Sequence, residues 1–173
     1  LMGDRTSLTL ADGMTGMTEN VFLNIKNRSM SVTAEVETPE DTAANGIVIA
    51  QGGRFGGWAL YVKDGKPAYD YNFLGLQRFT VASDEALKPG KSTIRFEFAY
   101  DGGGVGKGGM GTLYINDQKV SQGRIERTQP TIFSADETAD VGIDLATPVV
   151  ESIGAEAKSR FTGSIPSVTV DVQ

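Results

Sequence analysis

The sequence predicts an all-β protein, two antiparallel sheets packed as a sandwich. Two segments alternate apolar and polar residues with a strict period of two, Ser29–Glu37 and Ser92–Tyr100. Two further segments carry hairpin signatures, apolar runs meeting at Asp64-Gly65 and at Asn116-Asp117. Helical periodicity is thin throughout, and 22 glycines punctuate the chain at turn spacing. Many short strands separated by glycine-rich turns are the pattern of a sandwich.

In the first alternating segment Met30, Val32, Ala34 and Val36 share one face, and Ser31, Thr33, Glu35 and Glu37 the other. Such a strand has one buried and one wet face. The run "GIVIAQG" reads as a further strand. The stretch "WALYVKDGKPAYDYNF" is a hairpin, with Trp58, Leu60 and Val62 leading into the turn and Tyr69, Tyr71 and Phe73 leading out. Asp-Gly supplies the positive φ angles that a tight hairpin turn needs. "QRFTVAS" gives another strand. In "STIRFEFAY" Ile94, Phe96, Phe98 and Tyr100 point one way. "GTLYINDQKVSQGRI" forms the second hairpin, and Val168, Val170 and Val172 lock the last strand into a sheet. A short helical turn is expected only within Thr138–Ile153, where Gly142 and Pro148 limit it. Residues 1–173 are read as one domain, with a core expected to include Val32, Val36, Ile49, Trp58, Leu60, Phe96, Phe98, Leu113, Ile115 and Val170.

A net charge of −6 argues against nucleic acid and anionic membrane surfaces as partners, since both select clustered Lys and Arg. No apolar run reaches the roughly 20 residues of a membrane helix. The chain has no cysteine and no histidine. That removes thiol nucleophiles, zinc-thiolate sites and the commonest general base and metal ligand. The first residue is Leu1, so the chain reads as a segment of something longer.

The stretch "AYDGGGVGKGG", Ala99–Gly109, resembles a phosphate-cradling loop at first sight. A nucleotide loop of that kind ends in Gly-Lys-Ser/Thr and opens a helix. Here Gly106-Lys107 is followed by Gly108, and the next residues, Gly111–Ile115, have a strand pattern. Without a helix N-terminus the nucleotide reading fails, and a long tip between two strands is expected.

The strings "NVFLNIKNRSMSVTAEVE", "GIVIAQGGRFGGWALYVKDGKPAYDYNFLGLQRFTV", "FEFAYDGGGVGKGGMGTLYIN" and "GRIERTQPTIFSADETADVGIDLATPV" resemble, in order and spacing, the C-terminal region of large bacterial arylsulfatases. The resemblance runs from about Arg5 to the last strand. It implies a concanavalin A-like (lectin/glucanase) jelly-roll sandwich appended to a sulfatase catalytic domain. It also implies that the parent uses a formylglycine, made from Cys or Ser in a C/S-x-P-x-R motif, and a divalent metal. None of this chain's serines begins that motif, since Ser164-Ile165-Pro166 continues Ser-Val. No catalytic residue is assigned, and the chain by itself is not expected to turn over a sulfate ester.

Candidate binding residues are few. Arg54 and Phe55 sit inside "GGRFGG", Lys107 ends the glycine loop, and Arg124 and Arg127 bracket Glu126. Basic residues gathered in the loops of an acidic protein suit a sulfated ligand or the acidic rim of a neighbouring domain. The alternative is that they make internal ion pairs. Asp136, Asp140 and Asp144 lie close together in "DETADVGID" and suggest a structural calcium, although the spacing is not that of an EF-hand. Trp58, Tyr61, Tyr69 and Tyr71 could stack on sugar, but alternation assigns Trp58, Tyr69 and Tyr71 to the core face. Glu35 and Glu97 could imitate a glucanase carboxylate pair, yet no E-x-D-x-x-E series is present. Three functions therefore stand at this stage. They are an accessory domain packed on a sulfatase catalytic domain and shaping its rim, a carbohydrate-binding module for sulfated glycans, and a glycan hydrolase.

Overall fold

A computed structural model describes residues 5–19, 21–133 and 138–173. Eleven strands form two antiparallel sheets: β1 (Ser7–Leu10), β2 (Met30–Thr38), β3 (Gly46–Gly53), β4 (Gly56–Lys63), β5 (Lys66–Phe73), β6 (Gln77–Ala82), β7 (Gly90–Tyr100), β8 (Gly109–Ile115), β9 (Gln118–Ile125), β10 (Ala139–Val141) and β11 (Ser164–Val172). The six-stranded sheet has the order β1-β11-β2-β7-β8-β9, and the five-stranded sheet the order β10-β3-β4-β5-β6. The fold class is the antiparallel jelly-roll sandwich that the sequence predicts. Among the described residues the only helical element is a single 3-10 turn, Glu156–Lys158. The short turn expected in Thr138–Ile153 is replaced by β10 and a series of bends, because the backbone there pairs with β3.

Register explains the core. Val170, Val32, Phe96 and Leu113 lie in one cross-strand row of the six-stranded sheet. Ile49, Leu60, Tyr69 and Val81 form the facing row of the other sheet. All eight are buried. The two rows meet where Tyr69 stacks on Phe96, ring centroids 3.6 Å apart, and Trp58 stacks on Tyr69 at 5.9 Å. A Cβ on Gly111 would lie 2.8 Å from the Phe96 ring, so this position is open for the aromatic pair. Ile115 departs from expectation: it is only partly buried, because β8 leaves the sandwich there to enter the Asn116-Asp117 turn.

The outer faces differ. That of the six-stranded sheet is wet and carries Ser31, Thr33, Glu35, Arg95 and Glu97. That of the five-stranded sheet is covered, which is why every residue of β3 is buried. Val149 and Val150 pack there against Ile47, Ala59, Tyr61 and Ala68 as a second, smaller core. The covering strap is fastened by Arg78, which donates to the Val149 carbonyl and pairs with Glu151.

Candidate functional site

Two hairpin tips of the five-stranded sheet, β3–β4 and β5–β6, and the glycine loop of the six-stranded sheet lie at one end of the sandwich. Residues 128–133 connect them. Thr128 donates its hydroxyl to the Lys107 carbonyl at 2.6 Å, Pro130 packs under Gly106, and the Gln129 N–H reaches the Tyr71 hydroxyl at 2.7 Å. Gln129 and Phe133 then back onto Gly56, where an added Cβ would stand 2.6 Å from the Gln129 Oε1.

At this end Arg54 and Phe55 are the two turn residues between β3 and β4. The glycines of "GGRFGG" are required by close approach. A Cβ on Gly52 would come within 2.2 Å of the Gly56 carbonyl, and Gly52 itself has φ of 89°. Asn72, fully buried in β5, welds this tip to its neighbour. Its Nδ2 donates to the carbonyls of Gly53 (3.0 Å) and Arg54 (2.8 Å), and its Oδ1 accepts the Gly75 N–H at 2.9 Å. The Arg54 N–H in turn donates to the Thr147 Oγ1 at 2.9 Å, tying in the strap.

The surface so fixed is apolar. Seven large hydrophobic side chains are exposed among the described residues, and five of them, Phe55, Leu74, Leu76, Val105 and Ile132, lie in loops at this end. Phe55 is 71% and Leu76 78% exposed, and the Phe55 ring reaches Gly75 between the two leucines. Isolated exposed hydrophobics are ordinary, but a cluster on pre-ordered backbone is not.

The charges divide into paired and free. Arg124 grips Asp101 with two hydrogen bonds, 2.9 and 2.7 Å, which hold the Asp101 carboxyl below the usual carboxylate range. Lys26 pairs with Glu19, and that carboxylate also accepts the Phe133 N–H. Arg54, Lys107 and Arg127 make no ion pair with any described residue. Of the residues the sequence singles out, this end thus gathers Arg54, Phe55, Lys107, Arg124 and Arg127, with Arg124 already engaged.

The acidic residues lie elsewhere. Asp136 falls outside the described residues. Asp140 is buried in β10 and accepts N–H groups from Gly16 (2.7 Å) and Leu145 (3.2 Å) and the Thr138 hydroxyl. Asp144 is buried below the strap and accepts the Val149 N–H at 2.8 Å. Both carboxylates organise backbone in this conformation, and among the described residues no three acidic side chains converge as metal ligands do. Trp58, Tyr69 and Tyr71 lie in the core, the Trp58 indole donating to Gln51 Oε1 at 2.9 Å. Tyr61 is buried by the strap, where its hydroxyl meets Asp70 at 3.0 Å.

The fold is an antiparallel β-sandwich of two sheets. No family model matches the chain, and no curated protein does. Its likenesses are structural. The CBM40 of the Ruminococcus gnavus IT-sialidase, solved bound to alpha2,3 sialyllactose, superposes with a TM-score of 0.57 at 15% identity, over 98% of this chain and 91% of that one. The NanB sialidase of Streptococcus pneumoniae gives a TM-score of 0.60 at 11% identity, over 94% of this chain. Domains LG4-5 of the mouse laminin alpha1 chain give 0.53 at 15% identity, over 97% of this chain. This chain spans 26% of that sialidase and 39% of that laminin fragment. At such identities the likeness is one of fold.

Proposed function

We propose that this domain is a non-catalytic accessory module of a larger hydrolase, an arylsulfatase, and that its loop end packs against the catalytic domain and shapes the rim of that active site. The observation that carries the docking is the exposed Phe55–Leu74–Leu76 cluster, held on backbone that the buried Asn72 fixes before any partner arrives. Pre-ordering removes part of the entropy cost of association, and an apolar centre rimmed by Arg54 suits a surface with carboxylates at its edge. The sulfatase parentage rests on the sequence resemblance. In the complete polypeptide, Phe55→Ala with Leu76→Ala is expected to lower turnover of an aryl sulfate or to separate the melting of the two domains. Wild-type turnover with a single shared transition would refute the docking.

A second reading, a carbohydrate-binding module for sulfated glycans, is supported by the full-length fold likeness to a CBM40. Calorimetric titration of the isolated chain with sulfated and neutral oligosaccharides separates the two: a binding module retains its ligand without any neighbouring domain.

A further inference from the structure

We propose that the glycine loop between β7 and β8 is an oxyanion site whose ligand is a sulfate group. This gives the carbohydrate-binding reading a ligand chemistry and does not depend on the docking reading. The loop is braced on both walls. The Tyr100 hydroxyl donates to the Gly104 carbonyl and accepts the Lys107 N–H at 3.1 Å. The Asn27 Oδ1 accepts the Gly106 N–H at 2.8 Å, and the Asp101 N–H closes the base of the loop on the Gly108 carbonyl at 2.9 Å. Between these braces, four consecutive N–H groups, those of Gly102, Gly103, Gly104 and Val105, have no acceptor among the described residues.

Backbone N–H groups gathered in a turn form anion-binding concavities. Gly102 and Gly103 have φ of 75° and 76°, yet a Cβ at either would meet nothing within 4 Å. Packing therefore does not demand glycine there; the backbone torsions do. The Lys107 side chain folds back over the loop, its Cε 3.5 Å from the Cβ position of Gly104. Lys107 makes no ion pair with any described residue, and Asp101, whose N–H closes the base of the loop, is engaged by Arg124. Backbone donors without acceptors, with an unpaired lysine folded over them, suit a tetrahedral oxyanion.

Amide NMR spectra of the chain, titrated with sodium sulfate, glucose 6-sulfate, glucose and sodium chloride at matched ionic strength, test the site. Saturable shifts of the Gly102–Val105 amides are expected with both sulfates and not with chloride or glucose, and Lys107→Ala is expected to weaken them roughly tenfold. Tighter binding of glucose 6-sulfate than of inorganic sulfate identifies a sulfated saccharide as the ligand, and equal affinities identify the free oxyanion. Shifts that stay linear and match those in chloride, or that Lys107→Ala leaves unchanged, overturn the proposal. Saturable binding of glucose that bypasses these amides would overturn it while leaving the carbohydrate-binding reading standing.

Discussion

Replacing Asn72 by Ala removes the group that holds both hairpin tips in place. The side chain is fully buried and makes three hydrogen bonds to backbone: one donated to the Gly53 carbonyl, one donated to the Arg54 carbonyl and one accepted from the Gly75 N–H. The Gly53 bond is buried and the other two are partly so. A buried polar group left without a partner costs about 2 kcal/mol, and a half-buried one that water can reach about 1 kcal/mol. The expected loss is therefore about 4 kcal/mol, well above the effect of an ordinary surface change. With a urea m-value of about 2–3 kcal/mol per molar, the unfolding midpoint falls by roughly 1.5 M. Asn72→Asp is expected to rescue little, because it keeps the acceptor for Gly75 but sets a carboxylate against two carbonyl oxygens. Urea denaturation followed by Trp58 fluorescence measures this directly. A midpoint within about 0.3 M of wild type would refute the claim that Asn72 organises the loop end.

Four further outcomes follow from the same contacts. Phe55→Ala and Leu76→Ala are expected to leave the stability of the isolated chain within about 0.5 kcal/mol, since both side chains are mostly exposed; calorimetry checks this. Gly52→Ala is expected to destabilise by about 2–4 kcal/mol in urea, because the new methyl meets the Gly56 carbonyl in a left-handed backbone. Burial raises the Asp70 carboxyl above its usual range, against the opposing pull of Thr80, Tyr61 and Arg78. The folded state then binds the proton more tightly than the unfolded one, so this group's contribution is present below the unfolded value and lost as pH rises through the folded one. Stability of the wild type relative to Asp70→Asn should accordingly fall as pH rises above about 4, and a flat difference would contradict the burial effect. Asp140→Asn is expected to lower the melting temperature in chelator, because it weakens the acceptors for Gly16 and Leu145; a loss seen only in the presence of calcium would instead put a cation on that loop.

Much of this architecture was legible in the sequence. The period-two pattern fixed which faces of β2 and β7 turn inward, and alternation alone assigned Trp58, Tyr69 and Tyr71 to the core. The Asp64-Gly65 and Asn116-Asp117 turns form where expected, with positive φ at all four residues. The short edge strands β1 and β10, of four and three residues, carry too few positions for a period to register. The strap is a subtler loss. The continuous apolar run "GIVIA" signals a strand buried on both faces, but periodicity cannot say that Val149 and Val150, a hundred residues on, supply the cover. Asn72 was missed for a similar reason. Its partners are backbone groups brought near only by folding, and the one hint was an asparagine, a residue poor in strands, at the end of an aromatic strand beside a glycine turn. Arg124 shows the limit of reading charge from loops: its ion pair with Asp101 depends on the β8–β9 register, which no spacing along the chain reveals.

The most direct test of the docking is amide hydrogen exchange at residues 53–56 and 74–76, measured in this chain alone and in the complete polypeptide its gene encodes. The Arg54, Gly75 and Leu76 N–H groups are hydrogen-bonded, so their exchange reports local opening of the tips, which a covering domain suppresses. The docking account expects these amides to slow at least about tenfold in the complete polypeptide, while the wet face carrying Thr33, Arg95 and Glu97 is unchanged. Equal rates at the two tips, or protection confined to the wet face, would contradict it.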